Sequence, residues 1–218
     1  MPFGSPSAWP AGIGWTAPER PNLSAVTRII AGSRKGRRLR TPTYEGTRPT
    51  TDRVREAVFS AIADWAGTSG EAVEVQLDGI ALLDLYAGSA AVALEAASRG
   101  AQPTYAVEVE PKVAAVARDN CAALGLSTVV VTAAAESWLR ADRQMSFDVV
   151  WADPPYPLPN AECEQMMELL VHRGWLKPDG LLVLERASRD DPPQFPATMT
   201  QRWSRRYGET LVYFAMKD

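Results

Sequence analysis

IALLDLYAG, residues 80–88, decides the fold. Ile80, Ala81, Leu82, Leu83 and Leu85 make an apolar run broken only by Asp84, and the run stops at the small residues Ala87, Gly88 and Ser89, where a helical pattern begins and continues through Arg99. A nearly continuous apolar strand is buried on both faces, which calls for a parallel sheet covered by helices. The alternation continues through TYAVEVE (104–110), a helix from Pro111 to Leu124, STVVVTA (127–133), a short helix around Ser137 to Arg140, and FDVVWADPP (147–155). A helix from Ala161 to His172, a turn LKPDG (176–180) and a strand LLVLER (181–186) follow. The last segment, TQRWSRRYGETLVYFAM (200–216), reads as an antiparallel hairpin on the sheet edge with its turn near Gly208. The expected fold is Rossmann-like α/β: a mostly parallel seven-stranded sheet with helices on both faces and a C-terminal antiparallel hairpin.

At 218 residues and 46% hydrophobic content the chain has material for one sizeable α/β domain and a small appendage. No apolar run approaches the roughly 18 residues of a membrane span, and the first residues lack the basic-then-apolar order of a signal peptide, so a cytoplasmic protein with no membrane partner is expected; a monomer is expected, though nothing in the sequence shows the oligomeric state. Cys121 and Cys163 lie outside any CxxC spacing and His172 is the single histidine, which argues against a disulfide framework or a zinc cluster; no metal is expected.

Three segments are expected: residues 1–26, a basic extension at 27–66, and the main domain at 77–218. Residues 1–26 are rich in Pro, Gly and Ser and show neither helical nor strand period, so they read as disordered. Val26 directly precedes TRIIAG, and a translation start at that valine would place those residues outside the native chain. TRIIAG and RRLRTP look like two short strands around the basic turn SRKG, making a small N-terminal β-hairpin. Pro49, Thr50, Thr51 and Asp52 then open a helix whose stripe is Val54, Ala57, Val58, Ala61, Ile62 and Trp65. From Thr27 to Arg55 nine basic residues face two acids, a net of +7, which leaves −10 for the rest of a chain whose total is −3. A basic arm on an acidic body suggests a local polyanion contact; a solvated basic hairpin is the plainer alternative.

In open α/β sheets ligands bind beyond the carboxyl ends of the strands. Asp84 stands near the end of the first strand, before the small-residue turn at Ala87, Gly88 and Ser89, which lets a ligand approach the backbone. Glu108 ends the second strand, where an acid can accept hydrogen bonds from ribose hydroxyls or simply serve as an acid ahead of the helix at Pro111. ADPPY (152–156) ends the fourth strand. An exocyclic amino group on a nucleobase is a poor nucleophile because its lone pair is delocalised, and a carboxylate with a backbone carbonyl can accept its two N–H bonds and aim that lone pair. Asp153 and the Pro154 carbonyl can supply these acceptors. Pro154 and Pro155 stiffen the loop, and Tyr156 can stack on an extruded base. An ordinary strand-to-turn transition is the alternative. The seven tryptophans, Trp138, Trp151 and Trp175 among them, read as core or edge packing, with Trp151 close to this loop.

Together these features resemble the class I S-adenosylmethionine-dependent methyltransferases. More narrowly, TRIIAGSRKGRRL, RPTTDRVREAVF, LDLYAGS, ADPPY and YGET resemble the bacterial 16S ribosomal RNA guanine-N2 methyltransferase D family over nearly everything from Thr27 to the end. The resemblance implies S-adenosylmethionine as cofactor, S-adenosylhomocysteine as product, and methylation of N2 of one guanine, guanine 966, of 16S RNA in the small ribosomal subunit. It implies cofactor contacts at Asp84, Tyr86, Ala87, Gly88, Ser89, Glu108, Val109, Ala135 and Glu136, with Thr50 between cofactor and RNA. It further implies catalysis by Asp153, Pro154, Pro155 and Tyr156, and RNA contacts at Arg34, Lys35, Arg37, Arg38, Arg48 and Arg53. The chain departs from the family pattern at Ala90 and Ala93, where glycines are usual, and at Ala134, where Asp or Asn is; a methyl group at Ala90 is expected to narrow the approach to the ligand. An amino methyltransferase acting on DNA adenine or protein glutamine, and a non-catalytic RNA-binding assembly factor, are the other two readings.

Overall fold

The computed structural model describes residues 27–41, 51–142, 145–155 and 158–218. The segment 1–26, together with Arg48, Pro49, Thr50 and Tyr156, lies outside these residues.

Seven strands form one sheet in the order β3-β2-β1-β4-β5-β7-β6. β1 (Leu82–Leu85), β2 (Thr104–Glu108), β3 (Thr128–Thr132), β4 (Phe147–Ala152) and β5 (Leu176–Ala187) are parallel. β7 (Thr210–Met216) runs antiparallel to β5, and β6 (Gln201–Tyr207) antiparallel to β7. The helices are α1 (Asp52–Trp65), α2 (Ala91–Ser98), α3 (Pro111–Leu124), α4 (Ala135–Arg140) and α5 (Asn160–His172). The mostly parallel, doubly covered sheet with an antiparallel edge hairpin is the architecture that the hydrophobic pattern predicts.

Side-chain alternation assigns each helix to a face. Leu82, Val149, Trp151, Leu181, Val183 and Phe214 turn toward α1, whose Val58, Phe59 and Ile62 pack on them. Leu83, Leu85, Val150, Leu182 and Leu184 turn the other way, onto Leu139 of α4 and Met166, Met167 and Leu170 of α5. Trp151 is wholly buried, its ring tilted against Phe59 at 5.6 Å and its indole N–H donating to Glu185 at 3.0 Å. Trp138 and Trp175 pack on each other at 4.3 Å on the opposite face. Thr51 caps α1 by accepting from the Val54 N–H, and the apolar stripe of the helix is buried as its spacing requires.

The N-terminal pair is less regular than two strands. Arg28 and Arg38 form a single antiparallel bridge, supported by hydrogen bonds from the Ile29 N–H to the Arg37 carbonyl and from the Leu39 N–H to the Thr27 carbonyl. The ladder stops there because the next donors are used elsewhere: the N–H groups of Ile30 and Ala31 reach the carboxylate of Glu95 on α2, at 2.6 and 3.0 Å. Ser98 adds a third tie, accepting from the Arg34 N–H and donating to the Ala31 carbonyl. Ile29 and Leu39 then fill a core with Ala90, Ala93 and Leu94. The LKPDG segment also differs from expectation. It lies inside β5 as an irregularity, because Phe147 pairs with Leu176 while Val149 pairs with Leu181, and Lys177 in the extra loop binds Asp148 of β4 at 2.8 Å.

Gly32 is where this docking is tightest. Its φ is +79°, and a Cβ there would lie 1.9 Å from the Ser98 carbonyl oxygen. Neither strain can be relieved by a rotamer change, since both involve backbone. Gly32→Ala is expected to destabilise the protein by about 3 kcal/mol in urea titrations, with the amides of residues 29–39 losing hydrogen-exchange protection first.

Candidate active site

β1 is the strand at which chain order reverses, with β2 on one side and β4 on the other. Connections leaving in opposite directions open a crevice at the carboxyl ends. Leu85 pairs with Val107 of β2 and with Ala152 of β4, so Tyr86, Glu108 and Asp153 all stand one residue beyond the same row. The three predicted strand-end sites are therefore brought together.

The turn after β1 is held in an unusual backbone conformation, with Tyr86, Gly88 and Ala90 at φ 62°, 55° and 61°. Three hydrogen bonds fix it: the Ala87 N–H to the Val107 carbonyl, the Ala90 N–H to the Ala87 carbonyl, and the Gly88 N–H to Glu108 Oε2 at 2.9 Å. The other Glu108 oxygen accepts from the Glu110 N–H at 2.8 Å. Each oxygen of an ionised carboxylate has a second lone pair, so Glu108 keeps two acceptor positions for a ligand while its orientation is fixed by backbone. Beside it, Val109 is 60% exposed, an apolar side chain left to solvent at the crevice. Among the described residues the space beyond the Gly88 Cα is open, since a Cβ there would meet none of their atoms within 4 Å. A carboxylate with free lone pairs, an exposed apolar side chain and an open glycine turn make a donor set that fits a ribose-bearing cofactor.

Ala134 and Ala135 are drawn to this corner by the Ala133 N–H, which donates to the Glu108 carbonyl. Ala134 is the N-cap of α4 and supplies no side-chain cap, Ala135 is buried, and Glu136 forms an exposed pair with Arg140 at 2.7 Å. Ser89 is buried, and its carbonyl accepts from Asn120 of α3.

Ala90 does not crowd the crevice. Both Ala90 and Ala93 are fully buried beside Ile29, Leu39 and Leu94, so their methyl groups face the core under the N-terminal segment. What glycine would relieve at Ala90 is a left-handed backbone, worth about 1 kcal/mol, against a buried methyl group worth about 0.8 kcal/mol.

Asp84 lies under the turn rather than in it. It is buried on the α1 face and accepts from the Ala93 N–H at 3.1 Å. Burial pushes its carboxyl up to about 8, with Asp153 and Glu108 adding to the rise and the Ala93 N–H and Arg55 opposing it. Asp153, at the β4 end, is half-buried, Pro154 is buried and Pro155 exposed; the Leu158 N–H donates to the Pro155 carbonyl.

Three residues outside the predicted site set shape this region. Glu95, with no exposure, holds the N-terminal segment and pairs with Arg99 at 2.9 Å. Arg55 is buried within the field of Glu95, Asp52, Asp84 and Glu185, and donates to the Arg28 carbonyl and to Asp52. Desolvation lowers its affinity for the proton while those acids raise it. Glu185, near the end of β5, stands beside Asp153 in the register, because Leu184 pairs with Ala152. A charged residue on the apolar face of a helix is the available signal for Arg55 and Glu95.

The basic residues divide between two ends of the domain. Arg34 donates to the Leu124 carbonyl at 2.6 Å and Arg37 to the Ala123 carbonyl at 3.4 Å, both on the last turn of α3, which is where β3 begins. Arg34, Lys35 and Arg37 thus sit at the amino-terminal end of the strands, about 13–17 Å along β3 from the crevice. Arg38 is exposed in the bridge to Arg28, while Arg53 is exposed on the first turn of α1, near the buried acids at the carboxyl end. Among the described residues no three His, Cys, Asp or Glu gather as a metal site.

The raised Asp84 carboxyl gives a pH signature. In the unfolded chain an Asp loses its proton near pH 3.9, whereas in the fold Asp84 holds it to about 8, so the folded state binds the extra proton between these values and stability from this group falls as pH rises through them. Asp84→Asn, which keeps an acceptor for the Ala93 N–H, is expected to flatten the decline of the urea midpoint between about pH 5 and 8. An equally steep decline in the variant would place the titration elsewhere.

Comparison with known proteins fits this geometry. The family profile described as Conserved hypothetical protein 95 matches residues 27–216. Ribosomal RNA small subunit methyltransferase D of Haemophilus influenzae is 33% identical over 186 residues, covering 84% of this chain and 89% of the relative. The protein of the same name from Escherichia coli is 35% identical over 182 residues, covering 82% and 85%. A solved structure of a putative methyltransferase from Escherichia coli superposes with a TM-score of 0.74 at 30% identity, covering 88% of this chain and 97% of the other. With this much of both chains shared, and with the start of the glycine turn, Glu108 and the ADPP loop meeting at one level of the sheet, the chain belongs to the ribosomal RNA small subunit methyltransferase D family of class I methyltransferases.

Proposed function

We propose that the protein transfers a methyl group from S-adenosylmethionine to the exocyclic N2 of one guanine of 16S ribosomal RNA, guanine 966 by family analogy, with the small ribosomal subunit or its assembly intermediate as substrate and the cytoplasm as the place of action. The observation that carries this reading is the alignment of Glu108, of Tyr86 at the start of the Gly88 turn, and of Asp153 one residue beyond a single row of β2, β1 and β4. The names of the relatives supply the RNA.

When bound, S-adenosylmethionine supplies an electrophilic sulfonium methyl group. Glu108 accepts the ribose hydroxyls with the lone pairs that Gly88 and Glu110 leave free. Val109 would offer its exposed apolar surface to the adenine, removing that surface from water, and the backbone around Ala135 would border the ring. Tyr86, Ala87, Gly88 and Ser89 border the methionine part, over Asp84, whose proton keeps a further negative charge away from Glu108 and Asp153. Asp153 and the Pro154 carbonyl accept the two N–H bonds of the guanine amino group and hold its lone pair toward the crevice. On transfer the sulfur–methyl bond would break as the methyl–N2 bond forms, the thioether S-adenosylhomocysteine would leave, and the nitrogen's proton would pass to Asp153 or to water. Arg53 stands at the mouth for RNA phosphate; Lys35, Arg37 and Arg38 serve RNA that extends along the molecule, and Arg34 is largely committed to α3. Arg48, Thr50 and Tyr156 complete the set by family analogy and lie outside the described residues.

Labelled methyl transfer to small subunits, naked 16S RNA and DNA tests the substrate, with label expected on the ribosomal RNA; label on DNA alone overturns the reading. Asp153→Ala is expected to lower turnover by two or more orders of magnitude with cofactor affinity, by calorimetry, within a few-fold. An equal loss of cofactor binding would move Asp153 from the base to the cofactor.

A further inference from the structure

The edge strand β6 carries three arginines and no acid in seven residues, QRWSRRY, within a chain that is strongly acidic outside its N-terminal basic segment. Its position follows from two antiparallel pairings in succession, β5 with β7 and β7 with β6, which make β6 parallel to β5 and bring its last residues to the carboxyl end where the crevice lies. Glu185 pairs with Val212 and Val212 with Arg205; Arg186 pairs with Leu211 and Leu211 with Arg206. Since Leu184 is level with Ala152, Arg205 lies on the row of Asp153, three strand spacings away, or about 14 Å.

The side chains are available. Trp203 stacks on Phe214 at 5.1 Å on the α1 face, and Arg205, two residues on, shares that face, which is also the face of Arg53 and the first turn of α1. Arg206 takes the opposite face with Arg202, which lies over the Phe195 ring at 5.7 Å. Both Arg205 and Arg206 are exposed. Among the described residues Arg205 has no hydrogen bond or ion pair, and Arg206 uses only its Nε, on the Gly208 carbonyl. The pair straddles the edge of the sheet, so a strand of phosphates passing over that edge meets one guanidinium on each side. At about 3.4 Å per nucleotide in a stacked strand, 14 Å is a reach of roughly four nucleotides from a base held at Asp153. By contrast, Arg34 and Arg37 bond to α3 at the far end of the domain.

We propose that Arg205 and Arg206 form a phosphate-binding rim that holds the RNA flanking the target base; this rests on the RNA methyltransferase reading above. The contact is electrostatic and sequence-independent, so its signature is a counterion-release slope. The experiment is binding of naked 16S RNA across a salt series, with S-adenosylmethionine affinity measured in parallel on the same preparations. For Arg205→Ala/Arg206→Ala the slope of log K against log salt is expected to fall by about 1.4–1.8, two phosphate contacts, with cofactor affinity held. Arg205→Lys/Arg206→Lys, which retains charge, is expected to keep the slope, whereas loss of edge packing alone would not be rescued in this way. A wild-type protein that binds and methylates the RNA, beside an alanine variant of unchanged slope, overturns the rim and leaves the function standing. A wild-type protein that neither binds nor methylates naked 16S RNA or small ribosomal subunits overturns both.

Discussion

Parallel pairing of β1 with two partners, β2 and β4, is the constraint on which the rest of the molecule depends. It buries β1 on both faces, which is why its sequence can be apolar almost throughout, and it brings three strand ends to one level. The crevice exists because the chain leaves β1 in one direction and returns to the other side. Helices on both faces then stiffen the strands that carry the site, while the residues that meet ligands stand on the short turns beyond them.

Buried acids join the elements around that centre. Glu95 accepts two backbone N–H groups and the Arg99 guanidinium, Glu108 accepts two more N–H groups, and Asp84 one. Each would be expensive to bury without such partners, so each fixes the segment that supplies them. Through Glu95 the N-terminal segment becomes part of the main core. Through Glu108 the glycine turn, the end of β2 and, by the adjoining carbonyl, the end of β3 are locked together.

The stretch proposed to be catalytic is legible in the sequence because its chemistry is local. Asp153, Pro154 and Pro155 are adjacent, so an acid, a carbonyl and two missing N–H groups are read together at the end of a buried strand. Ala90 is not legible in the same way, because sequence does not tell which way a methyl group points; its left-handed backbone turns the side chain into the core. The arginines of the N-terminal segment form one group in the sequence, yet two of them bond to the last carbonyls of α3, a partner nearly 90 residues away. Arg205 and Arg206 give no sign in the sequence of standing near the site, because their nearness to Asp153 passes through β5 and β7.

By itself, the sequence determined the strand and helix order, the edge hairpin, the apolar faces and the residues at the strand ends, since these rest on hydrophobic period and on turn residues acting within a few positions of each other. Tertiary structure alone decided that Glu108 is oriented by the Gly88 N–H, that burial raises the Asp84 carboxyl, that Glu95 clamps the N-terminal segment, and that β6 returns to the crevice. Hydrogen bonding and desolvation act through space, and the pairs they couple here are separated by tens of residues, which no local period encodes.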